Sequence, residues 1–355
     1  MNTFSLLKNT SHPTDAYYKL KIQGEKDAKN MKWFRYALFC GLLFLLVGCG
    51  EKDLEEVKIG EVTRSIFYAP LYAAIEEGYF KEEGLDIKLT TIPGGDKTMT
   101  ALLSDGIDIA LIGAETSIYV AGQNPNDAVI NFAQLTQTDG TFLVAREEVA
   151  SFDWEQLKGS TFLGQRVGGM PQMAGEFVLK KNGIDPHQDL ELIQNIDFAN
   201  IANAFASGTG DYVQLFEPTA SMFEQQGVGK IVASFGEELG AIPYTAFMTK
   251  ESTLKEKEMI ESFTKALYKA QKWVYEADAK DVAKSIAPYF EDTDLELIEK
   301  VVVRYRDQQS YAQDPIIDEA EFQNLLDVMT EAGVLETEVD YKELVNREFA
   351  DAVVK

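Results

Sequence analysis

The stretch VKIGEVTRSIFYAPLYAAIEEGYFKEEGLDIKLTT, residues 57–91, decides how the chain is read. Val57 to Val62 reads as a strand. Pro70 to Phe80 reads as a helix, with the proline suited to a first turn and Gly84 beyond its end. Leu85 to Thr91 is a strand again. One βα unit followed by another strand is the seed of a layered α/β fold.

Working outward, the same alternation continues. Pro93-Gly94-Gly95-Asp96 is a turn, with Asp96 placed to cap a helix over Lys97 to Leu103. Ile107 to Ile112 is a nearly all-apolar strand, as expected where helices cover both faces. A helix over Thr116 to Ala121 and a strand over Val129 to Leu135 follow. A second set runs from a strand at Phe142 to Ala145, through a short helix at Asp153 to Gly159 and a strand at Thr161 to Leu163. It continues with a helix at Gln172 to Lys181, strands at Leu190 to Gln194, Tyr212 to Leu215 and Ile231 to Ser234, and helices at Asn200 to Phe205 and Thr219 to Gln226. From Thr253 onward the pattern is almost entirely helical. The prediction is an α/β fold with largely parallel sheets and a helical C-terminal extension.

Ahead of this region, Lys32 and Arg35 precede an uncharged apolar segment from Tyr36 to Gly48. It is shorter than the about 20 residues that span a bilayer, and it has the layout of a secretory signal. Leu46-Val47-Gly48-Cys49 resembles the processing box of bacterial lipoproteins. That resemblance implies a lipid on Cys49 and anchoring at the extracytoplasmic face of a bacterial cell membrane. Met31-Lys32 makes an ordinary signal-peptide start, so residues 1–30 read as an upstream read-through or a long n-region, 31–48 as the signal peptide and 49–56 as a tether.

The 355 residues carry 33 Lys+Arg and 58 Asp+Glu. Residues 1–48 hold 7 and 3 of these, which leaves 26 and 55 and a net charge of −29 on the remainder. Such a surface repels nucleic acid, whose binding depends on releasing counterions from phosphates. The two cysteines are Cys40, in the apolar segment, and Cys49, so no disulfide is expected beyond the tether. His12 and His187 are the two histidines, and His187 sits in the turn Asp185-Pro186-His187 as a solvated residue. Triad, Cys-His and multi-histidine metal chemistry therefore have no residues to work with. No enzyme activity, cofactor or metal is expected, and no Walker-type glycine loop is present.

Two further runs are informative as wholes. They are Phe67-Tyr68-Ala69-Pro70-Leu71-Tyr72-Ala73-Ala74-Ile75-Glu76-Glu77-Gly78-Tyr79-Phe80 with Glu83-Gly84-Leu85-Asp86-Ile87, and Gly94-Gly95-Asp96 followed by Ala101-Leu102-Leu103-Ser104-Asp105-Gly106-Ile107-Asp108-Ile109-Ala110. Together they resemble the solute-binding proteins of ABC importers for nitrate, sulfonates, taurine and thiamine-pyrimidine precursors. The resemblance covers roughly Val57 to Lys250, and Asp153 to Gly159 shares it. A eukaryotic enzyme family that makes the thiamine pyrimidine, using pyridoxal phosphate and its own histidine, has a similar first motif. The cysteine-rich stretch and reactive histidine of that family are missing here.

The resemblance implies a two-lobed periplasmic-binding-protein-like fold (type II). Lobe one would comprise 57–139 plus 245–355 and lobe two 140–244, with Gly140 and Pro243 flanking the hinge crossings. It also implies a membrane permease and a separate ATPase subunit as partners. A signalling or adhesion lipoprotein of the same shape is the alternative from another class.

Ligands of open α/β sheets bind beyond the carboxyl ends of the strands. That selects Arg64, Phe67, Tyr68, Asp96, Glu115, Thr116, Thr138 and Asp139 from lobe one. From lobe two it selects Arg166, Met170, Gln172, Phe216 and Glu217. Phe67 and Tyr68 suit stacking on a flat ring. Arg64 and Arg166 suit a sulfonate or nitrate, whereas Glu115, Asp139 and Glu217 accept hydrogen bonds from a donor-rich ring. The surplus of acids tilts the reading toward a nitrogen heterocycle such as a thiamine-precursor pyrimidine.

Overall fold

The computed structural model describes residues 54–121, 127–335 and 338–355; Cys49 and the segments before it lie outside the described residues. Among the described residues, ten strands form two five-stranded sheets. The first has β1 (Glu55–Glu61), β2 (Leu85–Thr91), β3 (Ile109–Gly113), β4 (Val129–Thr136) and β10 (Thr245–Lys250), in the order β2-β1-β3-β10-β4. The second has β5 (Thr141–Ala145), β6 (Thr161–Leu163), β7 (Glu191–Ile193), β8 (Tyr212–Phe216) and β9 (Lys230–Ser234), in the order β7-β6-β8-β5-β9.

Both sheets are mixed rather than largely parallel. β1 pairs in parallel with β2 and β3, but β10 lies antiparallel between β3 and β4. In the second sheet β5 lies antiparallel between β8 and β9. The reason is the chain path. β5 and β10 each arrive from the other sheet, through residues 137–140 and through the short helix Phe235–Leu239 with residues 240–244, so neither follows a crossover from a neighbour in its own sheet. Both are enclosed strands; every residue of β5 and all of β10 up to Thr249 are buried.

Three local expectations change. The helix read over Pro70 to Phe80 is two, Ala69–Glu76 and Tyr79–Glu82, because Gly78 takes φ 77° and stops the first in the left-handed geometry that glycine adopts without cost. The next helix starts at Gly95 with Gly94 as its N-cap, so Asp96 lies inside the first turn and its side chain caps nothing. The short helix at Asp153 is a 3-10 turn, Trp154–Leu157, with Asp153 accepting the Glu155 N–H at 3.0 Å.

The C-terminal helices pack on both sheets' layers, where packing on the first alone is expected. Lys257–Glu276 buries Met259, Ile260, Phe263, Ala266, Leu267, Ala270 and Val274, a stripe at helical period. Phe263 meets Phe80, Phe132 and Phe247 with ring centroids 5.0, 5.6 and 5.0 Å away. Leu295–Asp307 reaches the second sheet's layer: Arg304 pairs with Glu217, and the Tyr305 hydroxyl donates to the Gly140 carbonyl at 2.7 Å. Among the described residues no helix is long and apolar enough to cross a membrane.

Candidate functional site

A cleft of about 540 Å³ opens between the two sheets' layers. One wall is built from the carboxyl ends of β1, β2 and β3: Val62 and Thr63, Gly94 to Asp96, and Gly113 with Glu115 and Thr116. Tyr68, Tyr244 and Thr245 complete it. The facing wall is the loop from Gln165 to Pro171 after β6, with Phe198 and Phe216.

Of the residues selected from the sequence, the structure brings Tyr68, Asp96, Glu115, Thr116, Arg166, Met170 and Phe216 together along this cleft. The strand-end rule works because parallel strands place their following loops and helix N-termini on one side of the sheet. Arg64, Phe67, Thr138, Asp139, Gln172 and Glu217 are outside the lining, and each is committed elsewhere. The Arg64 Nε lies 3.0 Å from Glu61 Oε1, Nη2 donates to Thr91 at 3.1 Å, and the guanidinium covers the Tyr289 ring at 4.8 Å. Phe67 is fully buried one layer down, against Tyr68, Phe216, Tyr244 and Tyr305 at 5.2–5.9 Å. The Thr138 hydroxyl is within 2.8 Å of the Gly236 and Gly240 carbonyls. Asp139, fully buried, accepts from the Thr141 N–H and hydroxyl. Gln172 accepts the Gly168 N–H at 3.1 Å and donates to Glu176 at 2.6 Å, bracing the loop from behind. The Glu217 carboxylate receives Arg304 and both the N–H and the hydroxyl of Ser221, the latter two at 2.9 and 2.8 Å. His187 is an exposed turn residue, as expected, and its Nε2 lies 3.0 Å from Glu176 Oε2.

Glu115 is the outstanding group of the cleft. It is 3% exposed. Its Oε1 accepts the Met170 N–H at 3.1 Å, across the cleft from the opposite wall, and its buried Oε2 has no partner among the described residues. Burial outweighs the lowering by the backbone N–H groups of Glu115 itself and of Met170 and raises its pKa to about 7. Gly113 makes room for it, since a Cβ there would overlap the carboxylate. On the facing wall Gln165 donates to the Gln214 carbonyl at 2.6 Å, which leaves its buried Oε1 without a partner. Arg166, the cation of the lining, is half exposed at the mouth and lies 3.1 Å from Asp96. Tyr68 is almost fully buried, and burial followed by the charge of Glu61 raises its pKa, so it stays a neutral phenol.

Tyr119, Tyr244, Met99 and Val167 also line the cleft and were not selected. Tyr119 and Met99 lie within helices rather than at strand ends. Tyr244 ends the return crossing, and its place depends on β10 inserting beside β3. With Tyr68, Phe198 and Phe216 they make a largely aromatic and aliphatic lining around the unspent Glu115 Oε2 and Gln165 Oε1, and the buried Tyr244 hydroxyl is likewise without a partner among the described residues.

The comparisons with known proteins agree with this architecture. A protein of Bacillus subtilis (strain 168) named "Putative binding protein YtlA" is 60% identical over 328 residues, covering 91% of this chain and 98% of its own length. Two solved structures share the fold. The alkanesulfonate-binding protein SsuA from Xanthomonas axonopodis pv. citri bound to MOPS has 18% identity and a TM-score of 0.67 over 83% of this chain and 99% of its own. The periplasmic nitrate-binding protein NrtA from Synechocystis PCC 6803 has 16% identity and a TM-score of 0.69 over 85% and 89%. The α/β architecture with a helical C-terminal region is thus that of the periplasmic binding proteins. The NMT1-like family model matches residues 50–287, and the chain belongs to that family.

Proposed function

We propose that this protein is the extracytoplasmic, lipid-anchored solute receptor of an ABC importer, and that its solute is a small donor-rich ring such as a thiamine-precursor pyrimidine. In this reading the solute sits between two hinged lobes, 57–139 plus 245–355 and 140–244. The closed complex is handed to a permease driven by a separate ATPase subunit. The 60% identical relative that bears the name of a binding protein supports the receptor class.

One observation carries the ligand class. Among the described residues the cleft lining holds three buried side-chain oxygens without a partner: Glu115 Oε2 and Gln165 Oε1, acceptors on opposite walls, and the Tyr244 hydroxyl, which can donate or accept. Buried acceptors are satisfied by ligand donors. An amino-substituted heterocycle supplies such donors and a flat face for Tyr68 and Phe216. A sulfonate, taurine or nitrate reading is favoured only by Arg166, and that guanidinium is already paired with Asp96. Tyr68, Asp96, Glu115, Thr116, Arg166, Met170 and Phe216 are the proposed contacts.

Calorimetry with 4-amino-5-hydroxymethyl-2-methylpyrimidine and with ethanesulfonate tests the ligand class. Pyrimidine binding that Tyr68→Ala weakens by about tenfold or more is the expected result. Sulfonate binding without pyrimidine binding would sink the heterocycle reading. For the anchor, Cys49→Ala is expected to abolish lipid labelling in cells; retention on membranes by the variant would remove that part of the reading.

A further inference from the structure

The Met170–Lys181 helix points its N-terminus into the cleft, and its first-turn donors are already committed. Pro171 has no N–H. The N–H groups of Gln172 and Met173 bond the Gly169 carbonyl at 3.1 and 3.3 Å, and the Gly168 N–H bonds Gln172 Oε1 at 3.1 Å. The Met170 N–H donates across the cleft to Glu115 Oε1 at 3.1 Å. A helix N-terminus favours an anion through its free amides and its dipole, and here the chain supplies that anion from its own opposite wall. The seat is built for a carboxylate: Glu115 is 3% exposed, and Gly113 lacks the Cβ that would displace it. Oε2 remains unpartnered.

From this geometry we infer that Glu115 is the specificity determinant for solute charge. It fills the anion seat of the Met170–Lys181 helix, so that the cleft rejects anionic solutes and presents Oε2 to a hydrogen-bond donor. The inference rests on the receptor reading above but not on the choice of pyrimidine. An entering sulfonate or nitrate meets a carboxylate where it needs an amide. A neutral or cationic donor meets an acceptor that nothing else satisfies. Removing the charge at this one position is therefore expected to invert the preference while the rest of the cleft stays as it is.

The test is calorimetric titration of the full chain and of three variants, Glu115→Gln, Glu115→Ala and Glu115→Asp, with ethanesulfonate and with 4-amino-5-hydroxymethyl-2-methylpyrimidine at pH 8. Unchanged far-ultraviolet circular dichroism and a cooperative melting transition establish that each variant is folded. The inference expects Glu115→Gln or Glu115→Ala to bind ethanesulfonate at least about tenfold more tightly than the parent, while Glu115→Asp, which keeps the charge, shows no such gain. No gain in either neutral variant overturns it. An equal gain in Glu115→Asp also overturns it, because freed space rather than lost charge would then be responsible. If pyrimidine binds none of the four proteins, the heterocycle reading fails, and the sulfonate titrations still decide the role of Glu115.

Discussion

Glu217 and Glu115 stand in two regions that put the same side chain to opposite uses. Both are almost fully buried, at 1% and 3% exposure. Around Glu217, at the packed junction of the two layers, every polar group is spent: Arg304 and Ser221 take the carboxylate, and Ser65 donates to its backbone carbonyl at 2.6 Å. Around Glu115, on the cleft wall, one oxygen is spent and the other is not. The Glu217 carboxylate is satisfied and structural, and Glu115 is held with one oxygen unsatisfied. A buried acceptor without a partner costs free energy, so its persistence in a cleft marks the place where a ligand pays that cost back.

The contrast predicts which changes destabilise the fold. The strongest break lies at the junction's aromatic core. Phe67→Ala removes a fully buried ring that touches Tyr68, Phe216, Tyr244 and Tyr305, and it is expected to cost about 3–5 kcal/mol. Chemical denaturation measures it, and a loss under 1 kcal/mol would show that the ring is not part of a packed core. Next in size is Glu217→Gln. Replacing a carboxylate that receives Arg304 and two Ser221 groups is expected to cost about 2–3 kcal/mol, with Arg304 partly screened by its 23% side-chain exposure. Glu115→Gln is expected to be neutral or stabilising, because it removes a desolvated charge that lacks a cationic partner. Equal losses in the two glutamine variants would erase the distinction between the regions.

The smallest effect concerns pH. Burial raises Glu115 to about 7 and Asp139 to about 6, above the ordinary values of 4.5 and 3.8. Glu61 and Glu217 are also raised by burial, each partly offset by its arginine. A raised acid keeps its proton in the folded state at pH values where the unfolded chain has lost it. Stability therefore falls as pH climbs from about 4 to about 7 and levels off above that. Melting temperatures between pH 5 and 8 are expected to decline, and Glu115→Gln is expected to flatten the upper part of the decline. Tyr68, Tyr119 and Tyr244 lie near Glu115 but stay neutral throughout, since their own burial, followed by the carboxylates around them, pushes them upward. An identical slope in parent and variant would mean that Glu115 is already ionised at pH 5.

What the sequence determined by itself is local or nearly so. Hydrophobic spacing and turn residues located most strands and helices. The carboxyl-end rule then placed Tyr68, Asp96, Glu115, Thr116, Arg166, Met170 and Phe216 on one cleft, because those positions follow from connectivity alone. Tertiary structure decided the pairings that span long stretches of chain. The partner of Glu217 is Arg304, 87 residues on. Arg64 is held by Glu61, Thr91 and the ring of Tyr289, which takes it out of the cleft. Phe67 is adjacent to Tyr68 yet lies beneath the floor that Tyr68 forms, and the insertion of β10 between β3 and β4 brings Tyr244 to the wall. Periodicity reports which face of an element is apolar, but not which distant group will meet it. Desolvation and charge pairing depend on that meeting, so the division of the acids into a spent Glu217 and an unspent Glu115 was settled only in three dimensions.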